Sequence, residues 1–294
     1  MAVAITIAHI KGGVGKTTLT ANLASIAQSK GLRALVLDMD ASSSFSSGVF
    51  GGASSENVTV SLKRIRSGEA VDDLIEYSPG LGVWVLRGDA NRIYGTDDID
   101  YVPDLIRELK GSLVYDRDGS LYPIDIMFVD SPGGSAQVTL ASMIGVEMVA
   151  VPMYFSDWDQ FCLPLIGSLI KAARKTRVNI DGRENPKFLG IIPNRVASHD
   201  SVQREILSTM KNEEKKLLLP FIPESNYLMT TTIRSNAKGE MGVCNVAPKS
   251  SLVYRQFQKL WEAIISPETI DHKAAYEDLT SRVGITLEEV NSAA

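Results

Sequence analysis

Apolar residues come in short runs separated by stretches of helical spacing, and the alternation of the two predicts the architecture. Ala4 to Ile10 is a β-rich apolar run and reads as a first strand. Lys16 to Ser29 places Leu19, Leu23, Ile26 and Ala27 at helical spacing and stops before Gly31, a residue suited to the left-handed turn past a helix end. Arg33 to Asp38 is continuously apolar from Ala34 to Leu37, as expected of a strand covered on both faces in a parallel sheet. Runs of the same kind recur at Val83 to Leu86, Ile124 to Val129, Met148 to Pro152, Phe188 to Ile192 and Leu217 to Ile222, most of them separated by helical stretches. This order predicts an α/β fold, a twisted and mostly parallel sheet with helices on both faces, in which ligands sit beyond the carboxyl ends of the strands. Ala41 to Ser55, rich in Ser and Gly, follows the second strand and reads as a flexible loop placed to act as a ligand-sensing switch. With no internal repeat and no linker, the pattern predicts one domain over residues 1–266 and a polar, partly helical tail over 267–294 packed on or near it.

Composition narrows the class. The chain has 294 residues, 44% of them hydrophobic, enough for a substantial core. No apolar run approaches the roughly 20 residues that cross a bilayer. The N-terminus lacks a basic leader and a small-residue cleavage site, so the expected location is cytoplasmic. The formal net charge of -5 is unevenly spread: Pro164 to Leu260 carries twice as many Lys and Arg as Asp and Glu, and the remainder is acid-rich. Cys162 and Cys244 stand far apart without metal-ligand spacing and are expected to be buried, inert thiols. His9, His199 and His272 are dispersed and receive no chemical role, and Trp84, Trp158 and Trp261 read as packing residues.

The chemistry concentrates in Lys11-Gly12-Gly13-Val14-Gly15-Lys16-Thr17-Thr18, between the first strand and the first helix. Glycines there let backbone N–H groups approach phosphate oxygens that a side chain would keep away. Lys16 is placed to reach β- and γ-phosphates, Thr17 to offer its hydroxyl to Mg²⁺, and the helix turns its positive end to the anion. The ordinary loop begins with glycine where this chain has Ile10, and Lys11 is an added cation.

In that deviant form the loop resembles the ParA/MinD superfamily of P-loop ATPases, and four further stretches agree. Leu35-Val36-Leu37-Asp38-Met39-Asp40 is similar to that family's aspartate pair, although Ala41-Ser42-Ser43 replaces the usual Pro-Gln. Met127-Phe128-Val129-Asp130-Ser131-Pro132-Gly133 resembles its third motif, with Gly133 in place of a second proline. Gly190-Ile191-Ile192-Pro193-Asn194-Arg195 and Leu219-Pro220-Phe221-Ile222-Pro223 resemble the loops that receive adenine.

The resemblance implies a P-loop NTPase fold that uses ATP and Mg²⁺, with residues Lys11 to Thr18, Asn194 and Pro223 around the nucleotide. Asp40 would orient and deprotonate the attacking water, Asp38 would support the magnesium shell, and Asp130 would hold Mg²⁺ through a water. Lys11 would reach across a homodimer to the partner's nucleotide, much as an arginine finger does. The activity implied is ATP hydrolysis in a DNA-partition or cargo-positioning cycle: the ATP-bound dimer binds DNA non-specifically, and a ParB-like adaptor stimulates its release. A nucleoid-associated location follows. Lys171, Arg174, Lys175 and Arg177, with Arg204, Lys211, Lys215 and Lys216, are the candidate basic face. The acidic C-terminal stretch from Asp278 to Val290 argues against membrane binding. Alternatives on the same scaffold are a MinD-like positioning ATPase and a small-molecule ligase or synthetase.

Overall fold

The computed structural model describes residues 2–265 apart from 52–55, 90–93, 117–118, 155–161, 183–184, 198–199, 201–202, 204, 206–217 and 232–239. The expected tail over 267–294, His199, His272, Trp158, Arg204, Lys211, Lys215 and Lys216 lie outside the described residues.

Nine strands are described: β1 Val3–Ile7, β2 Ala34–Asp38, β3 Glu76–Ser78, β4 Val83–Leu86, β5 Leu113–Tyr115, β6 Leu121–Pro123, β7 Ile126–Asp130, β8 Met148–Met153 and β9 Lys187–Pro193. The helices are α1 Lys16–Ser29, α2 Ser44–Phe50, α3 Val58–Ser67, α4 Thr96–Asp100, α5 Val102–Leu109, α6 Ala136–Gly145, α7 Leu163–Asp181, α8 Asn226–Thr231, α9 Val243–Val246 and α10 Leu252–Ile265. Seven strands form one sheet in the order β3-β4-β2-β7-β1-β8-β9. All neighbours in it run parallel except the β3–β4 pair at one edge. The mostly parallel α/β architecture is the one the alternating runs predict.

Strand periodicity sorts side chains into two cores. Leu35, Leu37, Met127 and Val129 join α3, α5, α6 and α7 through Leu62, Leu105, Ile106, Met143 and Ile170. Their sequence neighbours Val36, Ile126 and Phe128 turn to the other face and pack with Leu19, Leu23, Phe257 and Trp261 of α1 and α10. Both faces are therefore covered, and β2 and β7 are buried at every position. Gly31, at φ +83°, supplies the left-handed turn that ends α1.

Four expectations need correcting. The first strand ends at Ile7 and not at Ile10, because Ala8 to Ile10 already turn into the glycine loop. Leu217 to Ile222 forms no strand over its described residues: Leu218 and Pro223 make single bridges to Ile191 and Val196. Pro220 and Pro223 lack the N–H groups a ladder requires. Ala41 to Ser55 is only in part a loop, since Ser44–Phe50 is helical. Cys162 and Cys244 are half-buried where full burial was expected, and partial burial pushes the Cys244 thiol up, which keeps it protonated and inert. Trp84 and Trp261 are packing residues as expected.

At the amino ends of the strands, Glu147 gathers a buried ion network. Its carboxylate accepts from the Ala4 N–H at 2.8 Å, pairs with Lys110, and lies 4.0 Å from Arg177.

Candidate functional site

The carboxyl ends of β1, β2 and β7 come level, with Asp38 opposite Asp130 and Asp130 opposite Ile7 in register. β1 lies between β7 and β8, the point where successive connections depart to opposite sides, so a crevice opens beyond it. The glycine loop occupies that crevice. Gly13 and Gly15 adopt φ +76° and +93°, conformations that side chains rarely take. At Gly12 and Gly13 nothing would meet an added Cβ, leaving open space over the backbone. At Gly15 a Cβ would strike Asn194, whose amide Nδ2 donates to the Val14 carbonyl at 2.7 Å. Asn194 follows β9 directly, so the far side of the sheet braces the loop. His9, fully buried, braces it from below by accepting the Lys11 N–H on Nδ1 at 2.9 Å. Sequence reasoning assigned His9 nothing; its position two residues before Lys11 was the available signal.

Lys16 is buried at the mouth of the loop and donates to the Lys11 carbonyl at 3.1 Å. Desolvation lowers its pKa, against the opposing pull of Asp130 and Asp40. Lys11 is exposed at the surface. α1 begins at Lys16, directly after Gly15, with no side chain capping its amino end, so its first N–H groups face the crevice.

Asp130 and Asp40 face Lys16, and Asp38 lies beside Asp130; each of the three differs in environment. Asp130 is fully buried, and neither carboxylate oxygen has a hydrogen-bond partner. Burial first, and then the charge of Asp38, push its pKa well above the usual carboxylate range; the Thr17 hydroxyl lies near enough to favour the ionised form without closing a hydrogen bond. Asp38 is buried too, and its pKa is raised to about 6 by desolvation. Its Oδ1 accepts the Asp40 N–H at 3.1 Å, and its Oδ2 accepts the Ser46 N–H at 3.0 Å and the Ser46 hydroxyl at 2.6 Å. Ser46 Oγ in turn accepts the Gly88 N–H at 2.9 Å. Asp38 thus anchors the first turn of α2, an occupation the sequence does not announce. Asp40, half-buried, accepts the Ser42 N–H at 2.8 Å and holds the turn that leads there.

The third stretch is clamped onto the loop. Ser131 Oγ donates to the Ile7 carbonyl at 3.0 Å and the Gly134 N–H to the Ile10 carbonyl at 2.6 Å. A Cβ on Gly133 would come within 3.0 Å of Gly12 Cα and 3.3 Å of Lys16 Nζ. Glycine at 133 leaves that space unfilled.

Beside the loop lies a cleft of about 380 Å³. Gly15, Thr17 and Thr18 form one wall, Phe45 and Val49 of α2 a second, and Asn194 and Arg195 a third. Pro223 is buried behind this surface, and Glu224 and Ser225 line the cleft in its place. The bridge that Pro223 makes with Val196 holds it in the layer below. Val14, also expected around the nucleotide, is fully buried, so only its backbone is available.

The site fits a magnesium-bound nucleotide on three grounds: an uncapped helix start, a loop open above Gly12 and Gly13, and an unpartnered carboxylate beside a threonine and a lysine. No group of three or more His, Cys, Asp or Glu side chains forms a closed metal shell among the described residues. That accords with Mg²⁺, which takes few protein oxygens and completes its octahedron with phosphate and water.

The expected basic face is only partly present. Arg177 is buried and donates to the Ile144 carbonyl at 2.6 Å, and Arg174 donates to the Pro186 carbonyl at 2.7 Å. Both guanidinium groups are committed to long-range internal bonds, which leaves Lys171 and Lys175 exposed on α7. Among the described residues no helix is long and apolar enough to cross a membrane.

Comparison with known proteins agrees with this geometry. The family model described as CobQ/CobB/MinD/ParA nucleotide binding domain matches residues 5–236. The chain is similar to the chromosome-partitioning ATPase Soj of Thermus thermophilus, 26% identical over 188 residues that cover 64% of this chain and 67% of that one. Among solved structures it is similar to the ATP complex of Cyanothece McdA, 17% identical, with a TM-score of 0.66 over 92% of this chain and 97% of that one. It also resembles the septum site-determining protein MinD of Pyrococcus horikoshii in complex with Mg-ADP, 23% identical, with a TM-score of 0.63 over 90% and 97% of the two chains. At these identities the two structures speak for the fold.

Proposed function

The chain belongs to the CobQ/CobB/MinD/ParA nucleotide-binding family, and from that premise we propose that it is a ParA-type ATPase whose ATP-bound homodimer binds DNA non-specifically and is released on hydrolysis. The observation that carries this reading is the convergence of Lys16, Asp40 and the unpartnered Asp130 beside an uncapped helix start. One domain over residues 1–266 would perform the cycle, and the activating partner would be a ParB-like adaptor.

The residues divide the work. Backbone N–H groups from Gly12 to Thr18 and the Lys16 ammonium hold the phosphates, in a site whose burial strengthens each electrostatic contact. Thr17 and Asp130 would hold Mg²⁺, which neutralises phosphate charge when bound. The magnesium role first expected of Asp38 passes in our reading to these two, because Asp38 already receives three hydrogen bonds from its own chain. Asp40 orients and deprotonates the attacking water. Adenine would enter the cleft between Phe45 and Asn194. Lys11, exposed at the rim, is free of the burial that fixes Lys16 and so suits a role toward a second subunit.

Support for the DNA step is electrostatic. Lys171 and Lys175 on α7, with Lys249, Arg255 and Lys259 in and before α10, are exposed cations that a dimer would double. The Soj relative, a chromosome-partitioning ATPase by name, points the same way.

Lys16→Ala should abolish ATP binding, whereas Asp40→Ala should keep binding and dimerisation but stop turnover. ATP should raise affinity for arbitrary duplex DNA, and added salt should lower it steeply. Unchanged hydrolysis in Asp40→Ala removes Asp40 from its role, and equal DNA binding with ADP and ATP refutes the cycle.

A further inference from the structure

The segment from Asp38 to Phe50 touches the nucleotide site at two places. Phe45 and Val49 share one side of α2 and line the cleft, where Ala21 of α1 and Leu228 of α8 complete an apolar surface. The same segment begins among the acids. Asp40 precedes the helix by one turn, and that turn engages both its side chain and its backbone: the carboxylate accepts the Ser42 N–H at 2.8 Å, and the carbonyl accepts the Ser43 N–H at 2.8 Å. The Ser43 carbonyl then accepts the Ser47 N–H at 2.8 Å and opens the helix ladder.

Ser43 stiffens this connection. It is buried at φ +47°, a left-handed conformation that is costly for a residue with a Cβ and persists only where the surroundings enforce it. Asp38 enforces it by drawing the Ser46 N–H and hydroxyl onto one carboxylate oxygen. The other non-glycine residue with positive φ among the described ones, Arg195 at +53°, lines the same cleft. At the far end of α2 the Arg87 guanidinium stacks on the Phe50 ring at 3.9 Å. A short helix held at both ends shifts as one body, so a load on Phe45 reaches Asp40 through a hydrogen-bonded turn.

We propose that Phe45 is a positioning residue. A base packed against Phe45 holds α2, and α2 holds Asp40 toward the attacking water through the Ser42–Ser43 turn. The base is then read in the rate of hydrolysis as well as in affinity, because binding energy from a remote part of the substrate serves the reacting centre. This deepens the ATPase reading above and rests on it.

The test compares a non-hydrolysable ATP analogue with inorganic tripolyphosphate, which fills the loop but carries no base, each with Mg²⁺ on the full chain. Amide hydrogen exchange reads the turn directly. The analogue should slow exchange at Ser42 and Ser46 about ten-fold more than tripolyphosphate does, the order of one aromatic contact. Phe45→Ala should erase that difference, and Phe45→Leu should restore most of it. Val49→Ala, a milder change at a half-buried position, should reduce it. In steady-state hydrolysis Phe45→Ala should lower kcat about ten-fold at saturating ATP, a loss that weaker binding alone would confine to KM. Equal protection by the two ligands, a difference that survives both Phe45→Ala and Val49→Ala, or an effect on KM alone overturns the inference. If those results come with turnover that Asp40→Ala abolishes, the ATPase reading stands and only this inference falls. A chain that fails to bind the analogue, or that turns over without Asp40, overturns both.

Discussion

Replacing Ser46 with alanine removes a hydroxyl that serves two neighbours. It donates to Asp38 Oδ2 at 2.6 Å and accepts the Gly88 N–H at 2.9 Å, all in buried surroundings. Asp38, with a pKa of about 6, is ionised at pH 8, so the first bond is charge-assisted and is worth about 1.5–3 kcal/mol. The second loss strands a buried amide at a further ~1–3 kcal/mol. The two overlap, because the carboxylate keeps its backbone donors, and a combined loss of about 2–4 kcal/mol is expected, a large fraction of a typical 5–15 kcal/mol stability. At pH 5 Asp38 is mostly neutral, and the first contribution should shrink toward the ordinary ~1 kcal/mol. Urea denaturation of the nucleotide-free chain at both pH values measures this directly. Because α2 carries Phe45 and Val49 into the cleft, binding of an ATP analogue should weaken in parallel. A loss below about 0.5 kcal/mol at pH 8, or the same loss at both pH values, would refute the anchoring role of Asp38.

Gly133→Ala should push its Cβ against Gly12 Cα, an overpacking of about 1–3 kcal/mol aimed at the phosphate loop. Calorimetry with an ATP analogue should show about ten-fold weaker binding; unchanged affinity would mean that the two loops yield freely. Glu147→Ala leaves Lys110 and Arg177 buried without their carboxylate and should destabilise the chain by about 3–5 kcal/mol in urea, with little effect on nucleotide affinity. Asp38 and Asp130 hold protons in the folded chain that the unfolded chain has released, so stability should fall as pH rises through about 6. Melting curves of the nucleotide-free chain between pH 5 and 8 should show this slope, and Asp130→Asn should reduce it; an unaltered slope in that variant would exclude Asp130 as its source.

How far the sequence could be read depended on the range of the interactions involved. β2, β7 and α1 were legible because burial on two faces and helical spacing are written into consecutive residues. The crevice at β1 followed, since the loop and the three aspartates come at or just past the ends of strands. α2 was not legible: Ser44 to Phe50 has poor intrinsic helix propensity and reads as a loop. It is helical because Asp38 holds its first turn and Gly51, at φ +76°, closes its last. The β5–β6 ribbon has strands of three residues, too short for a period to register. Arg177 shows the same limit from the other side. Its place in a basic run suggested a solvated face, while its partners Ile144 and Glu147 lie about thirty residues away in sequence and decide its direction.

The register that sets Asp38 against Asp130 has a bearing on descent. Adjacent parallel strands are about 4.8 Å apart, so the empty protein confines two mutually repelling acids where water cannot screen them. A duplicate gene relieved of its original duty would become more heat-resistant by exchanging Asp130, whose carboxylate has no hydrogen-bond partner, for a neutral side chain. Persistence of Asp130 in a lineage is therefore a mark of continued selection for occupancy, readable from the sequence without any assay.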